Sequence, residues 1–131
     1  MRVLYVTAGY TPHDRRFLQA ILRQGHRVWF ATGLARTEGL VAALPVGVEL
    51  WQLALRDDCE WNARVSAEEI DVIHAGPIPS VAATVARIAN APLVAMSWGS
   101  DILRDAAMSS RKRSRALEAL GRADVILGDC Q

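Results

Sequence analysis

Short apolar runs, each ending in a polar loop and each followed by a stretch of helix length, constrain this chain more than any other feature. The first, Val3-Leu4-Tyr5-Val6-Thr7-Ala8, runs into Gly9-Tyr10-Thr11-Pro12-His13-Asp14. Further runs occupy 26–31, 48–53, 71–75, 93–96 and 124–128. Strands that are apolar on both sides belong in a parallel sheet, where helices cover both faces. Between them, 15–24 is predicted helical, with Phe17, Leu18, Ile21 and Leu22 on one face. Asp14 is placed to cap that helix and Gly25 to end it. A short helix is expected over 37–44, and 56–67 reads as a loop or a helical turn. Ser80 is positioned to cap a helix carrying Val81, Ala82, Val85, Ile88 and Ala89 at helical spacing, closed by Asn90 and Pro92. Residues 101–121 read as mostly helical, broken near Ser109-Ser110. This alternation predicts an α/β fold: a three-layer, Rossmann-like, doubly wound parallel sheet with right-handed crossovers, in one domain spanning 1–131. No helical stretch follows the run at 124–128, so the chain is expected to be the first half of a longer protein.

Composition bounds the function. A chain of 131 residues can bury roughly two-thirds of its unfolded surface. Its 51% hydrophobic content and mean hydropathy of +0.12 suit a sheet buried on both sides. A net charge of +1 excludes a broad basic surface for nucleic acid. Cys59 and Cys130 lie far apart without ligand spacing and read as reduced cytosolic thiols. The histidines, at 13, 26 and 74, show no ligand spacing, so no metal is expected. The N-terminal run, broken by Thr7 and Gly9, is too short for a signal peptide or a membrane span. A cytoplasmic location follows as an expectation, with peripheral contact at the inner membrane face left open.

Ligands of doubly wound sheets gather beyond the carboxyl ends of the strands. Residues 9–16, 74–76 and 98–101 are therefore expected to converge on one rim. The candidate substrate-binding residues are Gly9, Tyr10, His13, Arg16, His74, Trp98, Gly99, Ser100 and Asp101. Trp98 offers a flat apolar face to a sugar, or it packs against another domain. Asp101 and Ser100 could bond a substrate hydroxyl or cap a helix. Gly99 lets the backbone turn close to a ligand. His74 is a hydrogen-bonded structural group or an orienting group at the site. His13 and Arg16 suit an acceptor carboxylate or phosphate, or else stand in solvent. Arg111, Lys112, Arg113 and Arg115 form either a solvated helix face or a patch for anionic lipid. The first loop lacks Gly-x-Gly-x-x-Gly, which disfavours a dinucleotide.

Several segments in order resemble the N-terminal domain of the retaining B-type nucleotide-sugar glycosyltransferases, known as group 1 or family four. Gly25-His26-Arg27-Val28 is similar to the family's Gly-His-x-Val turn, and Asp71-Val72-Ile73-His74-Ala75 to its fourth strand. Gly99-Ser100-Asp101 matches the tail of its His-Gly-Ser-Asp loop. Ala123-Asp124-Val125-Ile126 resembles the segment leading to the second domain, and Asp14-Arg15-Arg16-Phe17 a helix start of one branch. The resemblance implies the acceptor-side domain of an enzyme moving a sugar from a nucleotide diphosphate donor to a hydroxyl with retention. It further implies no cofactor beyond that donor, an acceptor glycan, lipid or small molecule, a donor-binding C-terminal domain outside this chain, and no transfer by 1–131 alone. Trp98 stands where the family has its loop histidine, so no catalytic group is assigned. The rival readings are a sugar-nucleotide epimerase and a non-catalytic binding module or subunit of a split transferase.

Overall fold

The computed structural model describes residues 1–33, 43–51 and 58–128. Six strands, β1 (Arg2–Thr7), β2 (Arg27–Thr32), β3 (Val48–Trp51), β4 (Val72–Ala75), β5 (Leu93–Met96) and β6 (Val125–Leu127), form one parallel sheet in the order β3-β2-β1-β4-β5-β6. The chain steps one way from β1 to β3, then returns to place β4 on the other side of β1. Right-handed crossovers therefore send the connecting segments to opposite faces, and the reversal opens a crevice between β1 and β4. The α/β, Rossmann-like architecture expected from the alternation is the one observed.

Side-chain alternation sorts the core into two layers. Tyr5, Val28, Phe30 and Met96 meet Leu18 of α1 (Pro12–Arg23) on one face. Leu4, Val6, Trp29, Ala31, Trp51, Ile73, Leu93 and Ala95 face the other layer. That layer comprises α2 (Asp58–Ala67), α3 (Ala83–Ile88), α4 (Ser110–Arg122) and two π-helical segments, Ile78–Ala82 and Asp101–Ala106. Among the described residues no helix is long and apolar enough to cross a membrane.

Local departures from the expected elements have identifiable causes. Helix α1 starts at Pro12 because Thr11, not Asp14, is its N-cap; Asp14 sits at the third helical position and closes a capping box. Gly25 ends the helix as expected, at φ +78° with its N–H bonded to the Leu22 carbonyl. The polar stretch before Ala67 becomes a helix because it carries Trp61 and Val65, which tertiary packing buries. Ser80 caps nothing: its hydroxyl turns to the Pro77 carbonyl at 3.4 Å. There the chain first makes a wide turn in which the Ala82 N–H reaches back to Pro77 at 3.2 Å. The helical break at Ser109 is as expected, with Ser109 capping α4. The core of the predicted 37–44 helix, the end of the third strand at 52–53, and Cys130 lie outside the described residues.

Asp71 and Asp124 repeat one device. Each precedes a strand and accepts the first N–H of the neighbouring strand, from Arg2 at 2.6 Å and from Leu93 at 2.8 Å. Strands β4 and β6 consequently begin one residue later than the apolar pattern suggests.

Candidate functional site

The carboxyl edge between β1 and β5 carries an aromatic cluster. Phe17, one helical turn beyond His13, lies with its ring 4.9 Å from the His13 imidazole, 5.8 Å from that of His74 and 6.2 Å from Tyr5. His13 also meets Trp98 edge-on at 5.5 Å, and His74 meets Tyr5 edge-on at 5.1 Å. The three loops after β1, β4 and β5 thus reach one rim, and Phe17 joins them. That role of Phe17 is hidden in the sequence, where the residue reads as part of a helix face; its only signal is the i, i+4 spacing from His13.

Two buried carboxylates hold this rim together. Asp14 accepts the Tyr5 hydroxyl at 3.1 Å on one oxygen, and the Thr11 N–H at 2.7 Å and hydroxyl at 2.6 Å on the other. Burial, reinforced by this carboxylate, holds the Tyr5 hydroxyl far above its ordinary titration range. Asp101 accepts Ser97 Oγ at 2.8 Å, the Trp98 N–H at 3.0 Å and the Ile102 N–H at 3.0 Å on Oδ1. Its Oδ2 accepts the Ile78 N–H at 2.9 Å. A carboxylate has about four acceptor positions, and here four donors use them. Asp101 is accordingly a positioning group that fastens the Trp98 loop to the turn after β4.

The remaining candidates separate. His13 makes no hydrogen bond among the described residues and is partly exposed, so both ring nitrogens can meet a ligand. His74 is mostly buried, its Nε2 lacks a partner, and burial lowers its pKa from 6.5 to about 4. It is a neutral imidazole at physiological pH and carries no proton to donate as an imidazolium. Trp98 Nε1 is likewise buried without a partner. It lies so near Gly76 that a Cβ there would sit 3.0 Å from it and 2.7 Å from the Met96 carbonyl. Gly76 therefore permits the indole to lie across the end of β4. Gly99 adopts φ +73° with open space around it, and Ser100 is exposed beside it. Gly9 accepts the Thr7 hydroxyl at 2.6 Å, and Arg16 is exposed. Tyr10 does not join the cluster: its ring packs edge-on to Phe30 and its hydroxyl donates to the Ala43 carbonyl at 2.9 Å.

Helix α4 uses most of its cations internally. Arg115 bonds the Ser80 carbonyl and the Thr84 hydroxyl, Arg113 the carbonyls of Ala106 and Ala107, and Lys112 the Asp105 carboxylate. Among the described residues no group of three or more His, Cys, Asp or Glu side chains is arranged to hold a metal.

No protein-family profile and no curated protein matches this sequence. Solved structures do match in fold. WbmG from Bordetella bronchiseptica, in complex with NAD, has a TM-score of 0.62 at 16% identity over 98% of this chain and 52% of that one. The complex of WbmG with NAD and UDP gives a TM-score of 0.56 at 15% identity, over 95% of this chain and 51% of that one. Vestitone reductase from alfalfa gives 0.57 at 13% identity, over 96% and 55%. A GsuK channel bound to NAD also gives 0.57, at 15% identity, over 96% of this chain and 21% of the channel. The fold is Rossmann-like. This chain spans about half the length of the two enzymes and a fifth of the channel.

These likenesses correct two expectations. Structural likeness leads to Rossmann-like proteins solved with NAD, WbmG and a GsuK channel among them, and not to B-type glycosyltransferases, so the resemblance suggested by short motifs does not hold. Its motifs coincide with general devices of parallel sheets: Gly25 is a left-handed helix cap, and Asp71 and Asp124 cap neighbouring strands. The expectation of no cofactor falls on the same finding, since NAD is bound in the WbmG and GsuK structures.

In this fold a dinucleotide requires glycines for close approach, free amides at the first helix, and an acidic residue near the end of β2. Here Pro12 has no N–H, the Asp14 N–H is taken by Thr11 Oγ1 at 3.3 Å, and the Asp14 carboxylate fills the helix mouth with negative charge. Strand β2 ends at Thr32 and continues into Gly33. These residues do not fit a pyrophosphate laid on the α1 terminus.

Proposed function

We propose that this chain is the nucleotide-binding, Rossmann-like part of an enzyme acting on a nucleotide-linked sugar, of the epimerase kind rather than the transferase kind. The observation that carries this reading is the strand reversal between β1 and β4, which brings His13, Phe17, His74 and Trp98 into one cluster at the carboxyl edge. Support comes from WbmG, an enzyme by its name, whose fold this chain shares and which has been solved with NAD and UDP. In this reading Trp98 presents an apolar face to the ligand, with Gly99 and Ser100 as its adaptable rim. Arg16 offers a guanidinium to a phosphate, and His13 supplies an imidazole as a hydrogen-bonding group. His74 acts as a neutral orienting group. A cytoplasmic setting belongs to the same proposal.

The test is calorimetric titration of the full chain with UDP and UDP-glucose, followed by analysis of the sugar without any acceptor. Saturable binding is expected, and absence of binding by either nucleotide overturns the reading; a changed sugar stereocentre marks the epimerase kind. The capped α1 terminus favours a second reading, a nucleotide-binding module without turnover. Binding with unaltered sugar selects it.

A further inference from the structure

Beside the aromatic cluster, on the face that α1 covers, lies a cavity of about 220 Å³ lined by His13, Phe17, Met96, Ser97, Leu127 and Gly128. Its construction follows from register. Met96 of β5 pairs with Leu127 of β6, so both side chains point to the same face and form an apolar floor. His13 and Phe17, one turn apart on α1, form the wall. The hydroxyl of Ser97 is committed to Asp101 and to the Gly99 N–H. The open polar atoms of the lining side chains are therefore the His13 ring nitrogens.

Volume and chemistry restrict what this cavity holds. Pockets that enclose whole drug-sized ligands run to about 300–1,000 Å³, so this one suits a single ring system. A thioether and an apolar floor favour an aromatic ring. A phenyl edge and an imidazole with free nitrogens favour a ring that also carries hydrogen-bonding atoms. Charged phosphates find no cation in the lining, whereas Arg15 and Arg16 stand exposed on the neighbouring turn of α1.

We infer that the cavity between α1 and the β5–β6 ends is the seat of a nucleobase, bound between Phe17 and the Met96–Leu127 floor with His13 as its hydrogen-bonding partner. The inference rests on the nucleotide reading above and goes beyond it, because it moves the base away from the plugged mouth of α1 to the open β5–β6 side.

Trp98 makes the test direct. Trp29, Trp51 and Trp61 are fully buried in the layer of α2, whereas Trp98 is partly exposed and touches His13. Titrating the full chain with UDP and with ADP, while following indole emission, is expected to give a saturable change that Trp98→Phe abolishes. Ribose 5-phosphate, which lacks a base, should give none. Leu127→Phe fills the cavity at a position 38% exposed, so folding is not at stake, and His13→Ala removes the polar partner. Each should weaken binding at least about tenfold, the factor that 1.4 kcal/mol of lost contact produces. Calorimetry of the same variants keeps the test independent of the fluorescence signal. Nucleotide binding that both variants leave unchanged overturns this inference while sparing the proposed function. Failure of UDP and ADP to bind the unaltered chain overturns both.

Discussion

The two halves of the sheet are built on different principles. Among the described residues, the five bulkiest fully buried side chains, Trp29, Trp51, Trp61, Tyr5 and Phe30, belong to the β3-β2-β1 half and the layers on its two faces. Trp51 packs against Trp29 at 6.5 Å and edge-on against Trp61 at 5.8 Å, so the layer of α2 is closed by large rings. In the β4-β5-β6 half the corresponding layer is lined with alanines, including Ala75, Ala82, Ala83, Ala95, Ala116 and Ala119, which let helices and strands approach closely. Among the described residues the opposite face of that half is thinly covered. Val94 is only partly buried, and Val125 and Leu127 are 53% and 38% exposed. Helix α1 contributes His13 and Phe17 to its cover. A closed aromatic half supplies stability, and the thin half holds the cavity of about 220 Å³.

Several substitutions would break or sharpen this contrast. Trp61→Ala, in the closed half, should cost about 3–5 kcal/mol in denaturant unfolding, through lost burial and an unfilled cavity. A cost below about 1 kcal/mol would remove the distinction between the halves. Asp101→Ala should cost about 2–4 kcal/mol, because the Ile78 and Trp98 amides lose their acceptor and each buried orphan costs about 1–3 kcal/mol. Its Trp98 emission should shift toward that of an exposed indole; unchanged emission would show that Asp101 does not hold the loop.

His74 gives the contrast a pH axis. Its folded pKa, about 4, lies below the unfolded 6.5, so the unfolded chain takes up the proton first as pH falls. Stability is therefore whole above pH 6.5 and is lost progressively between pH 6.5 and 4, by up to about 3 kcal/mol at 1.36 kcal/mol per unit. Unfolding measured across that window should flatten in His74→Gln; an equal slope in both proteins would assign the loss elsewhere. Thr11→Ala removes half of the α1 capping box and should cost about 1 kcal/mol by thermal melting. Leu127→Ala, on the thin half, should change stability by no more than about 0.5 kcal/mol. A larger loss would mean that this face is packed more firmly than its exposure indicates.

Much of the fold was readable because it depends on local pattern. The apolar runs mark five strands to within two residues at their ends, since a strand buried on both faces cannot contain many polar groups. The Gly25 cap and the break at Ser109 were readable for similar reasons, each being a short-range requirement of one backbone conformation. Helix α2 was not readable. Its polar composition conceals Trp61 and Val65, and only the layer they enter makes them core residues. Motif likeness misled at Asp71 and Asp124, because strand-capping aspartates recur wherever parallel strands begin in this way.

From order and periodicity alone, this sequence determined a doubly wound parallel sheet and the loops delivered to its carboxyl edge. Tertiary structure alone decided what those loops contribute. It turned Tyr10 toward Phe30, used both oxygens of Asp14 and Asp101 internally, and brought Phe17 and Leu127 to the rim. The physical reason is one of range. Periodicity reports which face of an element is apolar, whereas a carboxylate's partners and a cavity's walls come from segments tens of residues apart.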